Sequence, residues 1–478
     1  MRKDKITDII LKTARAMQHS GKAEDGLAST DRVKWPITCI VGPGLEGAIA
    51  CETKVGFVNG GEGSLIYQGY DIVDLCAFSS FEEVSYLLLH GQLPTRSQFK
   101  RFNNKLVECR FLPNTLRMMM SMRVEELHPM AALRFGENLM RQRRTWRDSE
   151  SARPSPEDAI AADEDSIAME TRPRGEEHAI YEFKTHKQAR PEDARKISDD
   201  ATSMEACAYL ISGMATLTAA IARIRANRMP IEPDPSLSHA ANFLYMMTGK
   251  RPSPEEERIM DVALILHADH GMNASTFSSM VVASTLSDIY FSIGAGLAAL
   301  NGPLHGGANE QVVHVLREIG GEENVVGWYE RARKKNAKIP GFGHRVYKTY
   351  DPRAVILKPL LDFVAGNNEE VLPLIKTARM LEKLVVEDLG KEKKIFPNVD
   401  FYSGLIYSCL GIPEEMFTPI FAVSRVAGWT ARVHEYLKNN RIFRPRAMYI
   451  GEFNKKYIPV RGRDSRKRRH RRSAVKSR

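Results

Sequence analysis

The sequence lacks the marks of a metal-thiolate, secreted or membrane protein. Its six cysteines, Cys39, Cys51, Cys76, Cys109, Cys207 and Cys409, contain no CxxC pair, and six in 478 residues are too sparse for a disulfide scaffold. They are expected to be reduced, mostly buried thiols of a cytoplasmic protein. The first apolar run, Ile9-Ile10-Leu11, is too short for a secretory core. Residues 271–304 carry one charge, Asp288, but Gly, Ser, Thr and Asn interrupt the run and no basic flank bounds it. A buried helix pair is expected there, not a membrane span. The net charge of +10 is also not a property of the body. Ten Lys/Arg and one acid fall in residues 461–478, which leaves 59 basic against 58 acidic residues elsewhere. A near-neutral body gives no electrostatic ground for a membrane or nucleic-acid partner, and the tail is expected to be a solvated basic coil.

What is present is ordinary globular material, 43% hydrophobic and 27% charged. Strand signals are nearly confined to residues 37–70. Residues 1–41 are expected to be a polar leader, ending in the extended apolar segment Ile37–Val41. Gly42-Pro43-Gly44-Leu45-Glu46-Gly47 has the letters of a dinucleotide fingerprint, which requires a helix next. Instead Lys54–Val58, Asn59-Gly60 and Ser64–Tyr67 spell a β-hairpin. From Phe81 onward the apolar spacing is helical: 81–91, 116–122, 130–139, 204–226, 237–248 and 255–300, the last as two helices broken near Gly271. Further helical patterns cover 309–319, 322–335, 353–365, 369–390, 402–410 and 414–439. Residues 141–203, rich in Arg, Glu, Asp and Pro, are expected to be an exposed insertion. The fold class is mainly α, with no internal repeat.

Four polar clusters interrupt this helical body. In Asn301-Gly302-Pro303-Leu304-His305-Gly306-Gly307-Ala308-Asn309-Glu310, a histidine sits in a Gly/Pro corner at a helix start. A positive helix end disfavours imidazolium, so a neutral ring there can donate N–H to a carbonyl oxygen that becomes negative. Taken alone, the decapeptide fits a structural turn equally well. His267-Ala268-Asp269-His270 places two histidines on one helix face, but no further ligand stands near and no metal is expected. Ile339–Arg353 holds His344 between Gly343 and the cations Arg345, Lys348 and Arg353, which suits an anionic substrate with a reactive carbonyl. Phe396–Gly404 sets Asp400 in an apolar, aromatic context that would raise its basicity, although a helix N-cap accounts for such an aspartate as well. Arg425 lies in an otherwise apolar helix, and Arg444 follows in Phe443-Arg444-Pro445-Arg446. Each could pair with a structural acid. As a set, these groups suit proton abstraction α to a carbonyl, with one histidine at the enol and the other at an electrophile held by arginines.

GPLHGGANE, PGFGHRVYKTYDPR, FPNVDFYSG and SRVAGW, in this order and spacing, resemble the citrate synthase family. Gly44-Leu45-Glu46-Gly47, His128-Pro129-Met130, Leu237–Asn242 and His267–His270 match it too, so that the resemblance covers roughly 42–140 and 204–455. It implies a multi-helical, two-domain homodimer: a large domain over 42–307, a small domain over 308–412 that closes on the substrates, and a return to the large domain over 413–460. It further implies condensation of acetyl-CoA with oxaloacetate, without a cofactor. His305 would contact the thioester carbonyl, Asp400 remove a methyl proton and His344 polarise the ketone. His270, Arg353, Arg425 and Arg444 would bind oxaloacetate, Arg444 from the other subunit. Lys348 and Lys394 would contact CoA phosphates. The alternatives are 2-methylcitrate synthase, acting on propionyl-CoA, and a non-catalytic scaffold of the same fold. The chain departs from the family pattern in the long 141–203 insertion, in Gly271 where an acidic residue often stands, and in the basic tail.

Overall fold

The computed structural model describes residues 2–17, 34–150, 204–366, 371–457 and 459–460. The chain divides into two units, Met1–Arg441 and Ile442–Arg478. The first packs helices on helices around one apolar core, and its described strands are three short ones. β1 (Gly56–Asn59), β2 (Ser64–Tyr67) and β3 (Tyr70–Asp71) form an antiparallel meander with Asn59 opposite Ser64. The Asn59 side-chain oxygen accepts from the backbone N–H groups of Gly61 and Glu62 and so holds the turn. The hairpin expected from Asn59-Gly60 is therefore formed. The glycine-rich stretch before it makes only a short 3-10 turn, Pro43–Leu45. Ile37–Val41 joins no strand, and Ile40 is 94% exposed.

The leader is more structured than its polarity suggested. α1 (Arg2–Met17) seats Ile6 and Ile10, one helical turn apart, in the core. Residues 18–33 lie outside the described residues. The charged segment also starts as regular structure, because α2 (Pro129–Glu150) continues into it. Residues 151–203 lie outside the described residues, as does the tail 461–478. α3 (Met204–Arg225) is the one described helix long and apolar enough to cross a membrane, and 89% of its apolar window is buried inside the protein. Two of its hydroxyls are satisfied across helix contacts: Ser212 donates to the Leu106 carbonyl and Thr216 to that of Arg110.

The stretch expected to be two helices is three: α4 (Pro254–His267), α5 (Ala274–Ser284) and α6 (Ile289–Leu300). The additional break is at Asp288, which caps α6 by accepting from Phe291 N–H. The lone charge of this run is thus a helix cap. Beyond it lie α7 (Ala308–Ile319), α8 (Pro352–Ala365), α9 (Val399–Cys409) and α10 (Phe417–Leu437). α10 is buried on every side from Phe417 to Val433. It meets the end of α4 so closely that a Cβ on Gly428 would lie 2.2 Å from the Ala268 carbonyl oxygen. This approach sets Arg425 beside His267. α9 packs on α7 and α8. The second unit runs without helix or strand from Ile442 to Tyr457, and exposes Met448 and Ile450 at 90% and 93%.

Candidate active site

His305 sits in the corner between α6 and α7. Its N–H donates to the Gly302 carbonyl at 2.8 Å, and the next N–H, of Gly306, closes on Leu300 at 3.0 Å. A Cβ on Gly306 would fall 2.5 Å from the Leu300 oxygen, so this corner excludes a side chain there. The ring reaches the first turn of α5, where the Ser275 backbone N–H donates to Nε2 at 3.3 Å and the Ser275 hydroxyl lies 2.8 Å away. A backbone amide only donates, so Nε2 is the acceptor and the ring proton belongs on Nδ1. The hydroxyl is in turn held by Asn273 and by the indole N–H of Trp429. Burial, and then the nearby Arg425 charge, push His305 down to about 4. The ring is neutral, as expected, but chiefly because it is desolvated.

His344 has the opposite tautomer. The backbone N–H groups of Val346 and Tyr347 donate to its Nδ1 at 3.0 and 3.1 Å, which leaves the proton on Nε2. Burial, reinforced by Arg353, moves it down to about 4. The loop that carries it is joined to the loop before α9. Gly343 N–H donates to Phe396 O at 2.8 Å, Asn398 N–H to Gly341 O at 2.9 Å, and the Asn398 amide to Gly343 O at 2.9 Å. Gly341 has φ +78°, and a Cβ there would lie 2.7 Å from Val312 and 2.9 Å from Phe401. Conformation and space both demand glycine.

Asp400 is not the helix cap. Asn398 caps α9 by accepting the N–H of Asp400, which leaves the Asp400 carboxyl uncommitted. Its Oδ1 is enclosed and has no hydrogen-bond partner. Desolvation raises the group to about 7, with Asp351 adding to the shift and Arg353 and Arg425 opposing it. Arg353 thus acts on both His344 and Asp400, and Arg425 on both His305 and Asp400. Two guanidinium groups tie the three candidate catalytic side chains into one electrostatic neighbourhood.

The arginines divide by partner. Arg353 is buried and pairs two-pronged with Asp351, at 3.0 and 2.7 Å. Asp351 also caps α8 and accepts the N–H of Val399, so it links α8 to the start of α9. Arg425 has no carboxylate partner among the described residues. Its Nε donates to the His267 carbonyl at 2.6 Å, its plane covers the Phe421 ring, and its Nη2 is buried without a partner. Burial brings its pKa down to about 10 despite the pull of Asp269. The nearby acid, Asp269, is taken two-pronged by Arg432 at 2.8 and 2.7 Å, so the structural acid that could have paired with Arg425 is absent among the described residues.

In the His267–His270 cluster the rings do separate work. His267 Nδ1 contacts the Ala263 carbonyl inside the helix, and His270 Nε2 lies 3.2 Å from the Tyr347 hydroxyl. No group of three potential metal ligands occurs among the described residues. His270 and His344 have ring centroids 5.1 Å apart, so these two distant segments do meet. Lys348 and Lys394 are exposed, and Lys394 takes a left-handed backbone at φ 52°. Arg444 is exposed in the second unit. Sequence reasoning missed Ser275, Asn273, Tyr347, Asp351, Trp429 and Arg432. Only Asp351, two residues before Arg353 at a Pro-headed helix start, carried a local signal. The Leu237–Asn242 segment is structural: Ser238 caps a helix, and the His239 N–H donates to Glu82.

The family model "Citrate synthase, C-terminal domain" matches residues 44–446. The chain belongs to the citrate synthase family. A curated citrate synthase of Synechocystis sp. is 39% identical over 420 residues, which cover 87% of this chain and 92% of that protein. One from Acidithiobacillus ferridurans is 40% identical, over 87% and 97%. A citrate synthase of Thermoplasma acidophilum, solved as a ternary complex with carboxymethyl coenzyme A and oxaloacetate, superposes with a TM-score of 0.72 at 31% identity, over 89% of this chain and all of that one. Membership in the citrate synthase family makes this chain an enzyme, a transferase that converts an acyl group to an alkyl group on transfer.

Proposed function

We propose that the protein condenses acetyl-CoA with oxaloacetate and hydrolyses the resulting citryl thioester, as a cytoplasmic homodimer without metal or cofactor. The observation that carries this reading is the pair of neutral histidines, one with a free Nδ1–H and one with a free Nε2–H, in the same field as an uncommitted carboxyl raised to about 7. Asp400 takes a proton from the acetyl methyl group. His305 Nδ1–H holds the oxygen that gains charge as the enol forms. The methyl carbon then bonds to the ketone carbon of oxaloacetate, whose oxygen is held by His344 Nε2–H. His270, Arg353 and Arg425 receive the substrate carboxylates, and Lys348 and Lys394 face the CoA phosphates. Closure of the small domain would keep water out until the carbon–carbon bond exists.

The test is thiol release with oxaloacetate, run side by side on acetyl-CoA and propionyl-CoA. A higher kcat/KM on acetyl-CoA is expected. A preference for propionyl-CoA would move the reaction to 2-methylcitrate formation with the same residues in the same roles. A folded protein that releases thiol from neither would end the enzymatic reading.

The dimer reading rests on the second unit, a segment without regular structure whose Met448, Ile450 and Phe453 are exposed and whose Arg444 is available to a neighbouring copy. Asp400→Asn and Arg444→Ala proteins should each be nearly inactive. Mixed under conditions of subunit exchange, they should recover activity through dimers in which one site keeps both residues. No recovery despite demonstrated exchange would remove the shared site.

A further inference from the structure

Tyr347 packs against both histidines of the oxaloacetate pocket, which also touch each other. Its side chain is 1% exposed. Its ring centroid is 5.4 Å from that of His270 and 4.8 Å from that of His344. Its backbone N–H donates to His344 Nδ1, and its hydroxyl is 3.2 Å from His270 Nε2. We propose that Tyr347 is a positioning residue for substrate recognition: its hydroxyl sets the tautomer of His270 while its main chain sets that of His344. This rests on the assignment of His270 to oxaloacetate made above.

The chemistry follows from counting protons. Burial keeps the phenol protonated, since it raises the hydroxyl well above its ordinary range. Burial, and then Arg353, hold His270 neutral. A neutral imidazole has one donor and one acceptor nitrogen. The Tyr347 hydroxyl has no other hydrogen-bond partner among the described residues, so its proton goes to Nε2. The His270 proton is then on Nδ1, which has no hydrogen-bond partner among the described residues and is free to donate to a substrate oxygen. Without the hydroxyl, nothing selects this tautomer. The alternative places a lone pair at Nδ1, which repels a carboxylate.

Tyr347→Phe keeps the ring and removes only this contact. The expected result is a rise of about ten-fold in KM for oxaloacetate, with kcat and the KM for acetyl-CoA changed less than about three-fold. In a His270→Ala background the same substitution should add nothing. An unchanged oxaloacetate KM, an equal loss for both substrates, or a full additive effect in the His270→Ala background would each overturn the proposal. Nitrogen NMR of histidine-labelled wild type, assigned with His270→Ala, needs no Tyr347 variant. It should show His270 protonated at Nδ1, and a proton on Nε2 would overturn the proposal as well. A wild-type protein inactive on oxaloacetate and acetyl-CoA would instead defeat the underlying reading, so the two failures are distinguishable.

Discussion

Asp400→Asn should lower kcat about a thousand-fold while the protein still folds and binds oxaloacetate. The carboxyl makes no hydrogen bond through Oδ1 and does not cap its helix, so the fold loses little when the charge is removed. The reaction loses its base. In the wild type, kcat/KM should fall with a slope of one proton as the pH drops below about 7, where the Asp400 carboxyl becomes protonated. The histidines, at about 4, titrate too low to contribute to that limb. Stability should move the other way. A carboxyl raised in the folded state favours folding below its unfolded pKa of about 4, and this advantage is lost as the pH rises through about 7. The Asn variant should therefore match the wild type near pH 4 and exceed it by about 2 kcal/mol near pH 8, a figure reduced for the group's partial exposure. Turnover and denaturant unfolding at both pH values check this. An Asn variant that turns over at near wild-type rate would dismiss Asp400 as the base.

Arg425→Met should raise the KM for oxaloacetate by about a hundred-fold or more and raise the unfolding temperature. Arg425 is 1% exposed, with one guanidinium nitrogen buried and unpartnered and no carboxylate in ion-pair reach among the described residues. A buried cation without an anion costs the resting protein stability, and a substrate carboxylate would supply the missing charge. Arg432, seven residues on in the same helix, is the control. It is just as buried but bound two-pronged to Asp269, so Arg432→Met should destabilise the fold by about 3–5 kcal/mol by stranding that carboxylate. If Arg425→Met behaves like Arg432→Met, with lost stability and unchanged KM, then Arg425 is structural and the carboxylate site is elsewhere.

The three side chains assigned to chemistry were legible in the sequence because their settings are local. His305 and His344 stand in corners whose glycines are forced by close backbone approach or positive φ, and such corners are written in adjacent letters. The helices were legible from apolar period, and the hairpin from Asn59-Gly60. The misreadings came where a local pattern had two solutions. The cap that stood as the alternative for Asp400 belongs to Asn398, and the apolar run around Asp288 concealed a helix boundary that only its capping bond marks. The leader's Ile6 and Ile10 had a helical spacing that its charge obscured.

By itself, then, the sequence determined the helical class, the hairpin, the family and which side chains are the candidates for chemistry, since each depends on neighbouring residues or on ordered motifs. The tertiary structure alone decided which arginine is matched and which is left for a ligand, which nitrogen of each histidine holds the proton, and how high the Asp400 carboxyl is pushed. Those properties belong to pairs far apart in the chain, such as Asp269 with Arg432, separated by 163 positions, or Ser275 with His305. Charge pairing, tautomer and desolvation are set by what packs against a group in space, and a linear pattern contains no distance between elements that meet only on folding.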